Sequence, residues 1–355
     1  MKKVCLLNGD MSRGGGTEKC TAFLSGALAE KGYEVYVGDV SNKRGECFFP
    51  LKEGVALHNF KGNSIPKQIC EIRKFIKEKG IDVLINVEAM LGIYTIPATM
   101  FKKTKNTIWE HGNFYQKQCR SIDFVRGLEM KLCDNYITLT ERDMNTFKRE
   151  FKGKCRVDYI YNPVEKPKNE PNYTGNTKRI LTVGLVREIK GYDYLVDVAE
   201  KVLTKHTDWK WDIFGNTKHY PEYSAHIEKR IKDSGLEGRV NLCGTTSDIE
   251  KEYQNSDIMV MTSLMEGLPM TLLEAKGNKL PMVAFDIETG PSEIIDNEVN
   301  GYLIESYDTK KMAEKIEELI ENDEMRKQFS ENTRENMKKF SKEDIVKKWI
   351  KIIEE

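Results

Sequence analysis

Short apolar runs bounded by polar turns recur along this chain of 355 residues. In the first half, residues 4–7, 35–37, 82–86, 107–109 and 136–139 form such runs, separated by helical patterns such as 19–31. Unbroken apolar runs, rather than alternating ones, mark strands buried on both faces, as in a parallel sheet covered by helices. A second series begins at 179–184 and continues through 209–214, 240–243, 258–261 and 282–285, again with helical segments between. Two successive βα arrays predict an α/β protein of two domains. Between them, residues 162–178 are rich in Pro, Asn and charge and poor in apolar side chains, so they read as a linker. In the tail 341–355, Ile345, Val346, Trp349, Ile352 and Ile353 form one helical stripe. No internal repeat and no low-complexity tract interrupts this plan.

Residues 64–80 carry Ile65, Ile69, Ile72 and Ile76 on one side, and Lys67, Arg73, Lys74, Lys77 and Lys79 largely elsewhere. Ser64 and Pro66 mark the start of this helix and Gly80 its end. The same isoleucines cannot face both a core and a lipid surface, and the expected arrangement is a helix packed on the sheet ahead of strand 82–86.

Length and composition narrow the picture. The chain exceeds one ordinary core, and two domains of about 150–180 residues would each bury about 70% of their unfolded surface. No apolar run of about 18 residues is present, and residues 4–7 are too short a stretch for a signal peptide, which predicts a cytoplasmic protein. Eight cysteines (Cys5, Cys20, Cys47, Cys70, Cys119, Cys133, Cys155 and Cys243) show no Cys-x-x-Cys pair, so neither a zinc site nor a disulfide framework is expected. The zero net charge conceals an asymmetry: residues 1–160 hold 27 Lys/Arg against 19 Asp/Glu, and residues 161–355 hold 29 against 37. A basic first domain suits peripheral contact with an anionic membrane, at the inner face of the plasma membrane.

Candidate chemistry sits where strands run into helices. Residues 266–274, Glu-Gly-Leu-Pro-Met-Thr-Leu-Leu-Glu, follow the strand-like run 257–262. Pro269 suits the opening of a helix, whose start offers amides to phosphate, while Glu266 and Glu274 can accept hydrogen bonds from sugar hydroxyls. That is the chemistry of a nucleotide sugar. The first strand leads into Gly14-Gly15-Gly16 ahead of a helix, a loop through which backbone can approach an anion. It is neither a P-loop nor a dinucleotide fingerprint. His111 follows the strand end at 107–109, where side chains line a ligand crevice. Lys190, ahead of Gly191, offers a compact charge to a departing diphosphate.

Taken in order, these motifs resemble glycosyltransferase family 4, with its Glu-x7-Glu signature at Glu266 and Glu274, Gly-Gly-x-Glu loop at Gly15 and Gly16, His-Gly element at His111 and Lys-Gly pair at Lys190 and Gly191. Asn162-Pro163, Asn300-Gly301 and the final helix extend the resemblance over nearly the whole chain. It implies an α/β protein of the GT-B fold, two Rossmann-like domains facing a cleft with a C-terminal crossover helix. The corresponding bounds are 1–163 for an acceptor-side domain, 164–178 for the linker, 179–338 for the nucleotide-sugar domain and 339–355 for the returning helix.

The resemblance also assigns roles. It implies catalytic parts for Glu266, Lys190 and His111, and donor contacts at Gly15, Gly16, Arg187, Gly244, Gly267, Leu268, Thr271, Leu272 and Glu274. Within that set Glu274 would hold the ribose, and Glu266 the donor sugar. The family places Arg directly after the glycine of its first nucleotide-domain strand; this chain has Leu185 there, with Arg187 two positions on. The implied activity is retaining transfer of a hexose or N-acetylhexosamine from a nucleotide sugar, foremost a UDP-sugar, to a glycan or lipid-linked acceptor in bacterial capsule, exopolysaccharide or lipopolysaccharide synthesis. The leaving phosphate helps deprotonate the acceptor, so no protein nucleophile is needed. No Asp-x-Asp occurs, and neither metal, cofactor nor nucleic acid is expected. Two competing readings are a non-catalytic sugar-nucleotide-binding subunit, which Leu185 favours, and a nicotinamide-dependent oxidoreductase, which the missing dinucleotide fingerprint disfavours.

Overall fold

The computed structural model describes residues 1–41, 46–116, 121–164 and 167–355. Cys119, and Glu165 and Lys166 of the expected linker, lie outside the described residues. Two compact units are present, one of Met1–Pro163 with Lys339–Glu355, the other of Val164–Lys338.

In the first unit a parallel sheet holds β1 (Lys3–Asn8), β2 (Glu34–Asp39), β3 (Val55–Asn59), β4 (Val83–Asn86), β5 (Lys105–Trp109), β6 (Asn135–Thr138) and β7 (Arg156–Tyr159), in the order β3-β2-β1-β4-β5-β6-β7. The central strands β1 and β4 are nearly continuous in buried side chains, which is why their apolar runs are unbroken. The amphipathic helix spans Ile65–Lys79, ending at Gly80 in the left-handed conformation. Ile72, Phe75 and Ile76 pack into the core with Phe60 and Tyr36, whereas Ile65 is exposed. The last helix, Lys342–Glu354, buries Ile345, Val346, Trp349, Ile352 and Ile353, with Trp349 edge-on to Trp109 at 4.8 Å. It therefore crosses back to this unit.

In the second unit, β8 (Arg179–Val183), β9 (Lys210–Phe214), β10 (Val240–Gly244), β11 (Ile258–Met261), β12 (Met282–Asp286) and β13 (Gly301–Glu305) form a parallel sheet in the order β10-β9-β8-β11-β12-β13. Its core joins Ile180, Trp211 and Val260 of the strands to Leu195, Ala199 and Ile316 of the flanking helices. In both sheets the strand order reverses beside the first strand, at β1/β4 and at β8/β11. Such switch points open crevices beyond the carboxyl ends of the strands.

Candidate active site

At the β8/β11 switch point the two neighbouring strands send out the loops that carry Lys190 and Glu266. Lys190 Nζ lies 2.5 Å from Glu266 Oε1, with the two side chains 22% and 14% exposed. The loops are stitched together: the Leu264 amide donates to the Ile189 carbonyl at 2.9 Å, and the Thr262 hydroxyl to the Lys190 carbonyl at 3.1 Å. Gly191 has φ +67°, and a Cβ on it would stand 2.1 Å from the Thr262 carbonyl oxygen. Only glycine lets the lysine loop close on its neighbour. Thr289 donates to the Glu266 carbonyl at 2.5 Å, so the segment after β12 braces the glutamate from the other side.

Around the helix Met270–Gly277, Leu268 and Leu272 are buried and their side chains belong to the core, while Gly267, Thr271 and Glu274 are half-buried. The amides of Leu272 and Leu273 both reach the Pro269 carbonyl, at 3.2 and 3.3 Å, so the first helical turn engages them. Glu274 Oε2 accepts from the Tyr253 hydroxyl at 3.0 Å, and that hydroxyl also lies 3.2 Å from the Thr271 carbonyl. Burial, followed by the Glu274 charge, pushes the Tyr253 hydroxyl well above its ordinary range. Gly244 closes β10 at φ +71°, and its carbonyl accepts from the Gly215 amide at 2.8 Å. Arg187 is half-buried, and its Nε is shielded from solvent with no hydrogen-bond partner among the described residues.

In the first unit the loops after β1, β4 and β5 surround a cavity of about 160 Å³, on whose wall Thr17, Glu88, Glu110, His111, Gly112 and Gln116 meet. The glycine loop leads straight into a helix that starts at Gly16. Glu18, almost wholly buried, reaches back to accept from the Gly15 amide at 3.0 Å and from Thr17 at 2.9 Å, and Arg13 pairs with it at 3.1 Å. The Gly15 amide is therefore occupied within the loop, while a Cβ on Gly16 would meet nothing within 4 Å. His111 lies against Trp109, ring centroids 4.4 Å apart, with its Nε2 shielded and unpartnered among the described residues. Burial pushes its pKa down to about 3. At neutral pH the ring is uncharged and serves as a hydrogen-bonding group.

A buried network that no local motif marks holds this histidine in place. Arg126, 1% exposed, pairs with Glu110 Oε2 at 3.0 Å and donates to the carbonyls of Asn113 (3.0 Å) and Phe114 (2.9 Å). Tyr136 donates to the same Glu110 oxygen at 2.9 Å, Glu110 Oε1 accepts from the Gly112 amide at 3.0 Å, and Asp143 accepts from the Phe114 amide at 2.9 Å. Every residue from 110 to 114 except His111 itself is thereby tied into this network. The one available signal was positional: Arg126 shares a helix face with Ile122, Val125 and Met130, where a solvated arginine would not sit.

Asp143 also supplies a pH dependence. Burial, opposed by the Phe114 amide, aided by the charge of Glu110 and opposed by Arg126, lifts its carboxyl from the usual 3.8 to about 7. Between those values the folded chain holds a proton that the unfolded chain releases. The associated stability is complete below the lower value and is lost as pH rises through the upper one. Asp143→Asn is expected to gain melting temperature relative to wild type as pH rises from 4 to 8. An identical displacement at both ends of that range would contradict the assignment.

Residues 164–336 match the family described as glycosyl transferases group 1. An uncharacterized glycosyltransferase of Haemophilus influenzae is 28% identical over 98% of this chain and 99% of its own. The amylovoran biosynthesis glycosyltransferase AmsD of Erwinia amylovora is 26% identical over 99% and 100%. The chain is a GT-B glycosyltransferase. Its fold is matched by that of Anabaena HepE, crystallised in complex with UDP-glucose, with a TM-score of 0.84 over 100% of both chains at 15% identity. In this glycosyltransferase the group 1 match spans nearly the whole second unit, including Lys190, Glu266 and Glu274.

Proposed function

We propose that this glycosyltransferase is a retaining, metal-independent family 4 enzyme, moving a hexose or N-acetylhexosamine from a UDP-sugar to a glycan or lipid-linked acceptor in bacterial surface polysaccharide synthesis. The observation that carries the proposal is the Lys190–Glu266 pair at the β8/β11 switch point, held at 2.5 Å by two loops stitched through their backbones. An arriving donor divides the pair by charge: its diphosphate takes the ammonium, and its sugar hydroxyls donate to the carboxylate. Arg187, whose shielded Nε lacks an acceptor among the described residues, takes over the phosphate contact that Leu185 cannot make. Glu274 holds the ribose, and neutral His111 donates to or accepts from the donor sugar. The related AmsD, named for amylovoran biosynthesis, and HepE, crystallised with UDP-glucose, support the acceptor class and the nucleotide. In this reading 1–163 is the acceptor-side domain, 164–178 the linker, 179–338 the donor domain and 339–355 the returning helix.

Calorimetry with bare UDP tests the division of roles. Glu274→Ala and Arg187→Ala are expected to weaken UDP binding, whereas Glu266→Ala leaves it nearly intact and slows transfer. Loss of UDP binding in Glu266→Ala with wild-type affinity in Glu274→Ala would reverse the two glutamates, and unchanged affinity in Arg187→Ala would remove that residue from the phosphate site.

Among the described residues no helix is long and apolar enough to cross a membrane. The amino-terminal excess of positive charge, with Lys67, Lys74 and Lys77 exposed on the helix Ile65–Lys79, supports peripheral attraction to anionic lipid at about 1 kcal/mol per basic residue near the surface. Binding to anionic but not neutral vesicles, lost in high salt, is the expected co-sedimentation result. No binding at low salt would assign the charge to another task.

A further inference from the structure

Phe101, in the first unit, stands almost wholly in water: it is 93% exposed, and Met100 beside it is 44% exposed. The two form the tip of the turn between the helix Gly92–Thr99 and β5, which the Lys102 amide closes by donating to the Thr99 carbonyl at 2.9 Å. Met100 has φ −52° and ψ 129°, and Phe101 has φ +62°, the pattern of a type II turn. The third position of such a turn favours glycine, and a bulky side chain is rare there because its Cβ crowds the backbone. The fold therefore accepts backbone strain in order to hold an aromatic ring outside its core. Strain of this kind is characteristic of places that carry a function.

The tip is fastened to the body of the unit and surrounded by positive charge. Arg73, on the helix Ile65–Lys79, donates to the carbonyls of Pro97 at 3.0 Å and Met100 at 3.3 Å, and Thr104 donates to the Ile81 carbonyl at 2.8 Å. These bonds seat the turn beside the end of that helix. Lys102 and Lys103 thus share one edge of the sheet with Lys77 and Lys79, at the amino ends of β4 and β5. Lys77, Lys79 and Lys103 are exposed, and the neighbouring Glu78 lies 3.7 Å from Lys74. An apolar point set among lysines is the composition of a surface that meets an anionic bilayer.

We infer that the Met100–Phe101 turn inserts into an anionic lipid bilayer. The inference rests on the proposed attraction of the first unit to anionic lipid, and gives that attraction a defined point of entry. The lysines lie at headgroup level, their ammonium groups on lipid phosphates, while the ring of Phe101 and the thioether of Met100 pass to the acyl boundary. Charge decides against a second copy of the chain as the occupant, since two such tips meeting would bring their lysines together. The turn precedes β5, whereas His111 and its cavity follow it at the carboxyl ends of the strands. Contact at the turn therefore leaves the crevice uncovered.

Phe101→Trp in the full chain reads the contact directly, because Trp109, Trp209, Trp211 and Trp349 are all buried and subtract out against wild type. With vesicles of phosphatidylglycerol and phosphatidylcholine at low salt, the added emission is expected to shift to the blue and to be quenched by bromine on the acyl chains. Phosphatidylcholine alone should leave it unchanged. Phe101→Ser should lower partition onto the anionic vesicles about tenfold or more and leave the rate of UDP-sugar hydrolysis unchanged. Phe101→Gly should lower partition likewise and raise the melting temperature, since glycine relieves the left-handed position. Anionic vesicles that bind the chain without quenching the new tryptophan, or an undiminished partition of Phe101→Ser, would overturn insertion and leave the electrostatic attraction standing. A lower melting temperature in Phe101→Gly would place the ring in the fold's own packing and overturn insertion as well. Failure of the wild-type chain to bind anionic vesicles at low salt would overturn both the attraction and the insertion.

Discussion

Replacement of Lys190 by alanine is expected to lower turnover about a hundredfold or more at saturating donor. Glycosyl transfer builds negative charge on the departing nucleoside diphosphate, and in the proposed reading Lys190 is the cation that the β8/β11 loops hold for it. Its position is fixed before any ligand arrives, by the 2.5 Å contact with Glu266 and by the bonds from the Leu264 amide to the Ile189 carbonyl and from the Thr262 hydroxyl to the Lys190 carbonyl. Removing one preorganised donor from a developing charge typically costs about 3–4 kcal/mol of the barrier. The variant also leaves Glu266 without its ammonium in a shielded position, so turnover should be read beside a melting curve that separates lost chemistry from lost fold. Near-normal turnover would remove Lys190 from the reaction.

Arg126→Met is expected to cost stability on a comparable scale, about 3–5 kcal/mol, because it strands a buried carboxylate. Glu110 and Arg126 are 3% and 1% exposed, and the guanidinium also satisfies the carbonyls of Asn113 and Phe114. The loss appears as a lowered urea midpoint. The double variant Arg126→Met with Glu110→Gln should lose less than the sum of the single variants, since removing both charges leaves none unpaired. A drop below about 1 kcal/mol for Arg126→Met, on the scale of an exposed ion pair, would show that the network does not hold the histidine loop.

The interior of each sheet was legible in the chain because a strand covered on both faces must be apolar throughout. The runs at 4–7, 258–261 and 282–285 coincide with β1, β11 and β12. The strands β3 and β7, at the two edges of the first sheet, escaped notice, as did β13. There Val55–Asn59 and Arg156–Tyr159 are half-exposed and mix polar with apolar side chains, which leaves no unbroken run to see. The helix Ile65–Lys79 was readable to within a residue or so at each end, since Ser64, Pro66 and Gly80 punctuate it chemically. The helix after the glycines begins at Gly16 rather than at residue 19, because the buried Glu18 caps the Gly15 amide and draws the glycines into the first turn.

For the site, residue types were visible and partnerships were not. Lys190 and Glu266 could each be named from their local motifs, but they meet across 76 positions only because β8 and β11 are neighbours in the sheet. Tyr253, which donates to Glu274, sits on a helix with no local pattern to mark it. Arg126 and Asp143 belong to no local motif. Their burial follows from how those helices pack behind the His111 loop, information that no spacing carries.

The most direct test of the account is incubation of the full chain with UDP-, GDP- and ADP-sugars in the absence of acceptor, followed by detection of released nucleotide and of the anomer of the released sugar. The account predicts slow release of UDP from an α-linked UDP-sugar, with the α anomer appearing first and Lys190→Ala suppressing the reaction. Release of no nucleotide from any of the three donor classes would contradict it.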